Sequence, residues 1–284
     1  MRAYDWARLL ALASLWSLQY LFLRMCVPIM GAGAVADGRA ILGALFLIPA
    51  ALIMGQRIAL RERWRDHLAI SLSNNVLPFL CIAWAAAVLP AGYLSVISGT
   101  VPLWAAVFAA WGLKEPLRGR QAAGFLLGLA GVALIVNLGP VAIDSRSLLG
   151  VAAALAGTAM WGWGGVIIKR RSGTMPPIGL AAGSITAGAI VMLPLWAGAS
   201  SPPTWTLEAG LALLALGILG TGLAYLAFFT LVRDIGPSRT LTTGLMIPAL
   251  GVLWGWLFLD ETVTLAMLAG VALVIGALVL VVRR

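Results

Sequence analysis

Polar and aromatic side chains recur at helical spacing inside the apolar stretches of this sequence. In the first stretch, Trp16, Gln19, Tyr20 and Arg24 are spaced so that they share one face of a helix. Indole, amide and phenol groups offer hydrogen bonds and ring faces to a solute, which is the chemistry of binding. We predict that Trp16, Gln19 and Tyr20 line a binding cavity. Packing or an interfacial position is the alternative for the two aromatic residues.

Two adjacent asparagines, Asn74 and Asn75, interrupt another apolar stretch, and Pro78 follows them. An amide without a hydrogen bond is costly in hydrocarbon. At least one asparagine is therefore expected to line a pore, the alternative being a bridge to a neighbouring helix. Pro78 removes a backbone donor and is expected to kink the helix.

Ser98 and Pro102 lie in a later stretch, and Thr243 and Pro248 lie in a similar stretch near the end of the chain. A proline inside a helix kinks it and frees a backbone carbonyl. Such carbonyls are tolerated where they line a cavity. We predict cavity-lining roles for Ser98 and Thr243 and gating kinks at the two prolines, with a passive kink as the alternative.

Three further aromatic residues are candidates for the wall of the cavity. Trp161 and Trp163 point to opposite faces of a helix, so at most one of them is expected to reach a central cavity. Tyr225 shares a face with Thr221. Aromatic walls suit a solute with an apolar or ring side chain.

Membrane helices are the elements that must position these side chains. Of the 284 residues, 62% are hydrophobic and 10% are charged, which is too little polar surface for a soluble protein of this size. A bilayer span needs about 20 mostly apolar residues. Ten such runs are predicted, at 6–27, 33–55, 67–88, 92–112, 120–138, 147–168, 178–198, 207–232, 236–258 and 263–282.

The Lys and Arg residues cluster in alternate gaps between the runs and give a net charge of +9. Such clusters mark the cytoplasmic side of a membrane protein, so the charge does not indicate nucleic acid as a partner. Only Arg24, Arg39 and Arg146 fall on the opposite side. The alternation holds for ten spans and breaks for nine or eleven. It predicts that both termini are cytoplasmic, and the expected location is the bacterial inner membrane.

The two halves of the chain resemble each other. At one constant offset, Pro102 pairs with Pro248, Glu115 with Glu261, and Gly124 with Gly270. A fixed offset indicates a duplicated unit, here 1–141 and 142–284. Because five spans is an odd number, the second copy enters the membrane from the other side. The predicted fold is an all-α integral membrane protein of two inverted five-helix repeats.

The same motifs resemble the drug/metabolite transporter superfamily, in its EamA branch. They are Trp111-Gly112-Leu113-Lys114-Glu115-Pro116 and Leu259-Asp260-Glu261-Thr262, each followed by a Gly-containing span. The resemblance covers both halves and implies a transporter. The family also tends to have an Arg early in its second span, which Arg39 matches, whereas the second copy has Ser184 or Ile185 there. The Trp-rich character resembles exporters of amino acids and related metabolites.

The sequence lacks the residues that several other functions would require. A single His and two Cys cannot form a His/Cys metal cluster, and no cofactor is predicted. No Gly-x-x-x-x-Gly-Lys-Ser/Thr loop indicates an ATP-driven module. No carboxylate lies near the middle of a predicted span, so transport is expected to need no proton gradient. No Lys or Arg is clearly central, which disfavours sugar phosphates and nucleotides. Glu115 and Glu261 are expected to favour the positive end of the next helix.

The leading function is therefore a secondary transporter that exports or exchanges small neutral or zwitterionic metabolites, amino acids first, by alternating access. A multidrug efflux carrier, a membrane-embedded enzyme and a channel are the alternatives. An enzyme would need a buried His, Asp or Cys cluster. A channel would be expected to assemble around a symmetry axis. The expected partners are a small-molecule substrate and the lipid bilayer, with a monomer as the expected state and a dimer left open.

Overall fold

The computed structural model describes residues 3–114, 119–139, 141, 144–197, 205–240 and 242–282, and the regular elements within them are all helices. Two one-turn helices, Pro194–Ala197 and Pro237–Thr240, connect longer ones. The long helices are α1 (Ala3–Met30), α2 (Ala32–Ile53), α3 (Trp64–Ala86), α4 (Ala91–Gly112), α5 (Gly119–Leu138), α6 (Ser145–Arg171), α7 (Pro177–Met192), α8 (Leu207–Ile235), α9 (Thr243–Leu259) and α10 (Leu265–Val282).

Seven helices of the described chain are long and apolar enough to cross a membrane. They are α1 to α6 and α8. The other three, α7, α9 and α10, are apolar but shorter. The chain is thus a multi-pass membrane protein, as the composition predicted. The count of ten spans remains a prediction.

Helix boundaries follow the proline and glycine residues. Pro90 precedes the first turn of α4. Helix α8 ends at Ile235 and is followed by Gly236, whose φ of 86° is readily adopted by glycine but strained for other residues. Both breaks were predicted from the sequence. The ninth span, predicted from residue 236, begins later at Thr243 because Pro237–Thr240 forms a separate turn. Glu115 and Pro116 of the sequence motif lie outside the described residues.

Helix packing is repeated between the two halves. Helices α2 and α7 pack together, as do α5 with α10 and α4 with α9, and each pair joins equivalent helices of the two repeats. Other contacts are repeated with the two halves swapped. Helix α1 packs on α8 and α9, and its equivalent α6 packs on α3 and α4, which are the equivalents of α8 and α9. This exchange is what a two-repeat fold with an internal two-fold relation requires. The opposite orientation of the halves remains a prediction.

Glycines allow the last helices of the repeats to approach closely. A Cβ added at Gly131 of α5 would stand 3.0 Å from the backbone oxygen of Gly270 in α10. Gly124 meets the backbone oxygen of Ala277 in the same way. Small residues at helix crossings let van der Waals contact hold membrane helices together. The glycines of these two helices therefore serve close packing between the repeats.

Candidate functional site

The third and eighth helices each contain a π-helical segment near the middle. In α3 it covers Leu72–Val76, and in α8 it covers Ile218–Leu223. A π turn adds a residue to the helical turn and changes the direction of nearby side chains, often at functional sites. Pro78 lies two residues beyond the first segment and cannot donate a backbone hydrogen bond there. The two segments occupy equivalent places in the repeats.

Arg39 is at the centre of a hydrogen-bond group that joins the repeats. Its Nε donates to the Thr221 hydroxyl in the π segment of α8, and its Nη2 donates to the Gln19 side-chain oxygen in α1, both at 2.8 Å. The guanidinium carbon lies 3.9 Å from the centre of the Phe79 ring, a cation–π distance. Arg39 is only 4% exposed. A buried cation is thus held by neutral groups from two helices and by a ring from a third.

This position corrects two predictions. Arg39 was assigned to the outer side of the membrane, early in the second span, but it lies well inside α2 and is buried. The statement that no Lys or Arg is central was also wrong, because Gln19 and Thr221 lie about halfway along their helices. The charge pattern misassigned Arg39 because it lies close to the predicted start of a span.

A second group of polar side chains lies in the π segment of α3. Asn74 donates to the Tyr225 hydroxyl at 3.3 Å, and that hydroxyl donates to the Asn75 side-chain oxygen at 3.4 Å. The Trp161 indole donates to the backbone oxygen of Asn74 at 2.9 Å. The side-chain nitrogen of Asn75 is buried without a hydrogen-bond partner in the described chain. The structure thus brings Asn74, Asn75, Tyr225 and Trp161 together, and their role in lining a cavity remains a prediction.

Tyr20 and Ser98 lie next to these two groups. Tyr20 is 2% exposed and lies near Gln19, Arg39 and Ser98. The Ser98 hydroxyl is buried beside the Tyr20 side chain. We call Gln19, Tyr20, Arg39, Asn74, Asn75, Ser98, Trp161, Thr221 and Tyr225 the central polar group.

Three predicted site residues lie elsewhere. Trp16 packs against Phe228 in a separate apolar cluster between α1 and α8, and the centres of the two rings are 5.3 Å apart. Trp163 packs against Phe108 and Trp111 near the end of α4. Thr243 starts α9 and donates to the Thr240 carbonyl. Trp161 and Trp163 do point to different surroundings, and only Trp161 belongs to the central polar group.

The predicted kink prolines lie where α4 crosses α9. The Pro248 ring lies against Gly99 of α4, and the Pro102 ring lies against Gly244 of α9. Ser95 donates to the Pro248 carbonyl at 3.3 Å, so the carbonyl is used in packing. A turn at residues 99–100 also interrupts α4 just before Pro102. At the crossing, the proline of each helix therefore lies against a glycine of the other helix.

Ion pairs join the helix ends at one end of the bundle, which we call the basic end. Asp66 at the start of α3 pairs with Arg63 at 2.8 Å and with Arg171 at the end of α6 at 3.1 Å. Arg8 in α1 pairs with Asp234 in α8 at 2.7 Å. Two of these pairs cross from one repeat to the other, so they hold the repeats together at this end.

The opposite end is held by a carboxylate and contains two small cavities. Glu261 accepts hydrogen bonds from the backbone nitrogens of Ala91 at 2.7 Å and Gly92 at 3.0 Å. It therefore caps α4, which corrects the expectation that it serves the helix that follows it. One cavity of about 240 Å³ lies beside Glu261 and Tyr93, and another of about 320 Å³ lies beside Arg24. Neither is lined by the central polar group.

Sequence reasoning missed Phe79 and the central role of Arg39, and it noted Thr221 only as a neighbour of Tyr225. An apolar ring in an apolar helix has no distinguishing signal. The signal for Arg39 was its place early in the second span, where the family tends to have an Arg. The structure also places Asp37 of α2 in the interior, completely buried, although no carboxylate was predicted to matter there.

Helices of membrane length, a polar group between two repeats and a buried cation define a class of protein: polytopic membrane transporters. The comparison with family models agrees. The EamA-like transporter family matches residues 6–137 and 148–283. The chain therefore belongs to the EamA-like transporter family, with one match in each half.

Curated relatives and solved structures show the same likeness. The chain is 30% identical to the "Uncharacterized transporter YvbV" of Bacillus subtilis (strain 168), over 94% of this chain and 86% of the relative. It is 26% identical to the "Uncharacterized inner membrane transporter YedA" of Escherichia coli (strain K12), over 96% and 89%. "Protein PecM" of Dickeya dadantii (strain 3937) is 27% identical, over 77% and 73%. A crystal structure matches the fold with a TM-score of 0.70, at 23% identity, over 99% of this chain and 96% of that one.

Proposed function

We propose that this protein exports or exchanges small neutral or zwitterionic metabolites, amino acids first among them, by alternating access. The observation that carries the proposal is the central polar group. Its hydrogen bonds cross between the repeats, from Arg39 to Thr221, from Asn74 to Tyr225 and from Trp161 to Asn74. Polar groups in a membrane interior are costly and mark solute pathways, and inverted-repeat carriers bind their solutes between the repeats.

The two ends of the bundle support alternating access. Ion pairs between repeats close the basic end, whereas the opposite end has cavities and a backbone cap at Glu261. A carrier needs two ends that open in turn while the site stays fixed. We propose that the basic end is cytoplasmic and that the structure is closed on that side.

The side chains around the group fit the proposed substrate class. Trp161, Tyr225, Tyr20 and Phe79 present rings or ring edges, which suit an apolar or aromatic side chain. Amide and hydroxyl groups of Asn75 and Ser98 suit the polar end of a metabolite. An amino acid combines both features. This favours amino acids, aromatic ones included, over lipophilic drugs.

Counterflow in proteoliposomes tests the proposal. Vesicles loaded with an unlabelled compound are diluted into a trace of the labelled compound, and protein-dependent, saturable uptake is measured over a panel of amino acids. We expect uptake for at least one amino acid. Uptake of lipophilic cations alone would instead make the protein a multidrug carrier, and no uptake of any compound would contradict the proposal.

The orientation has its own test in the bacterial inner membrane, where we propose the protein resides with both termini in the cytoplasm. Reporter fusions at Arg171 and Pro203 should report opposite sides. Reports from the same side would remove both the topology and the inverted repeat.

A further inference from the structure

The larger of the two cavities at the end opposite the basic end, which we call the outer cavity, has two arginines in its wall. It has a volume of about 320 Å³, and its wall includes Arg24 of α1, Ala87 and Val88 just after α3, and Asp144 and Arg146 at the start of α6. Helices of both repeats thus meet around it. Small-molecule sites have volumes of about 300 to 1,000 Å³, so the outer cavity is large enough for a small solute.

Positive charge is rare at this end of the bundle. Of the 19 Lys and Arg residues, the charge pattern assigns only Arg24, Arg39 and Arg146 to the outer side. Arg39 is held within the central polar group, and the other two both line the outer cavity. Two like charges at one cavity repel each other, and an anion that binds between them relieves the repulsion.

Arg24 has hydrogen-bond donors to spare. Its Nη1 donates to the Ala86 carbonyl at the end of α3 at 3.0 Å, which is a helix-capping contact. Its Nε is buried and has no hydrogen-bond partner in the described chain. A guanidinium has five N–H groups, so the cap accounts for only part of what Arg24 can donate. A buried donor without a partner is costly, and an oxygen of an anion in the cavity would accept from it.

Asp144 is the carboxylate in the wall of the outer cavity, and it serves the start of α6. Its Oδ1 accepts a hydrogen bond from the Ser147 backbone at 2.6 Å as the N-cap of that helix. This bond holds the pKa of Asp144 below its usual range, and the Arg146 charge acts in the same direction. Arg146 is exposed, and among the described residues no ion pair joins it to Asp144. Two guanidinium groups and one carboxylate leave the wall with one net positive charge.

The outer cavity lies outward of the central polar group along α1. Arg24 follows Tyr20 of that group by four residues, so the two side chains share one face of the helix. Four residues correspond to a rise of about 6 Å. Arg24 is therefore the next polar side chain of α1 on the way from the central polar group to the outer end.

We propose that Arg24 and Arg146 bind the carboxylate of a solute at the outer end, where it leaves or enters the central polar group. The inference rests on the proposed function and adds a second, outer site to it. Guanidinium groups favour carboxylates because their planar fork donates two parallel hydrogen bonds. One net positive charge matches one carboxylate, so the ligands are monocarboxylates, including zwitterionic amino acids.

Charge-selective thiol labelling in the wall of the outer cavity tests for the site. The full-length protein carries Val88→Cys in a background without Cys26 and Cys81, in phosphatidylcholine nanodiscs that leave both ends accessible. Sulfonatoethyl and trimethylammonioethyl methanethiosulfonate, which are anionic and cationic, are compared. Both react with the thiolate, so the ratio of their rates does not depend on the thiolate fraction.

We expect the anionic reagent to react faster. Arg146→Gln should lower the anionic-to-cationic ratio by about threefold or more, because one charge of the site is lost. Arg61→Gln is the matched control, since Arg61 is an exposed arginine in the loop at the basic end, and it should leave the ratio unchanged. A ratio that falls equally in both variants, or in neither, would contradict an anion site at the outer cavity.

Compounds with the same ring identify the ligand. L-phenylalanine and 3-phenylpropionate carry a carboxylate, and phenethylamine does not. We expect the first two to slow the labelling of Val88→Cys, and this protection should weaken in Arg146→Gln and in Arg24→Lys. The lysine keeps the charge and can still reach the Ala86 carbonyl, but it lacks the planar fork. Equal protection by phenethylamine, or protection that survives in both variants, would overturn the inference.

A lipid phosphate is the competing anion, and phosphatidylglycerol added to the nanodiscs tests it. Protection by this lipid and by neither soluble carboxylate would assign the cavity to the lipid and overturn the inference. The labelling needs no transport, so the two proposals fail separately. Counterflow of L-phenylalanine without any protection by it would overturn the outer site while the proposed function survives. Counterflow without uptake of any amino acid would remove both.

Discussion

Arg39 of the first repeat donates a 2.8 Å hydrogen bond to Thr221 of the second. Thr221 lies in a π segment, where its own hydroxyl reaches back to the Leu216 carbonyl, five residues earlier. The Thr221 hydroxyl in this π turn therefore faces α2 and accepts a hydrogen bond from the Arg39 guanidinium. A local irregularity of α8 and a buried charge of α2 belong to one arrangement.

Replacing Thr221 by Val should destabilise the protein and weaken transport. Valine keeps the shape but removes the acceptor, and a hydrogen bond to a charged group contributes about 1.5–3 kcal/mol. We expect a lower unfolding temperature and a reduced counterflow rate. Thr230→Val is the matched control, because the Thr230 hydroxyl bonds only within its own helix, to Leu226. Equal effects of the two substitutions would contradict the role given to Thr221.

Replacing Asp66 by Asn should loosen the basic end. It removes the bonds to Arg63 and Arg171, and because these arginines are partly exposed, each pair contributes only about 0.2–1 kcal/mol. That is enough to shift a balanced equilibrium between closed and open ends.

Thiol labelling measures this shift. A cysteine at Ala69, one turn inside α3, should react faster with maleimide in the Asp66→Asn protein, in a background without Cys26 and Cys81. Glu62→Gln, a neutralised carboxylate in the preceding exposed loop, is the control. An unchanged labelling rate in Asp66→Asn would show that these pairs do not close the basic end.

Replacing Glu261 by Ala should destabilise α4. Two backbone N–H groups at its start lose their acceptor, and the loss of a helix cap costs about 0.5–2 kcal/mol. Thermal unfolding of the purified protein measures the effect. Glu208→Ala, an exposed carboxylate in the first turn of α8, should cost less. If Glu208→Ala is the more harmful of the two, the cap is not what Glu261 contributes.

Transport should follow the solute gradient without a proton gradient. The buried Asp37 is the group that most directly challenges this expectation, since buried carboxylates serve as proton relays in transporters. In proteoliposomes, an imposed pH gradient should not concentrate the labelled amino acid, in wild type or in Asp37→Asn. Accumulation in the wild type that disappears in Asp37→Asn would establish proton coupling instead.

The sequence predicted the helical class and the two repeats, and several of its candidate cavity residues lie together in the central polar group. Hydropathy and charge determine where a chain enters hydrocarbon, and the adjacent asparagines had to find partners there. The same pattern assigned Arg39 to the outer side, because charge counting does not distinguish a residue at a membrane surface from one two turns inside a helix. Trp16 was misplaced for a different reason: a tryptophan on a polar stripe packs equally well against Phe228, and periodicity does not identify the neighbour.

Counterflow of labelled L-phenylalanine, compared between wild type, Asn75→Ala and Leu129→Ala at matched protein content, tests the central claim most directly. Asn75 lies in the central polar group, whereas Leu129 lies on the packing helix α5. We predict saturable uptake in wild type and Leu129→Ala, and an uptake rate lower by about tenfold or more in Asn75→Ala. A buried polar group that loses its hydrogen-bond partner costs about 1–3 kcal/mol. Uptake that survives in Asn75→Ala but is lost in Leu129→Ala would contradict a substrate site between the repeats.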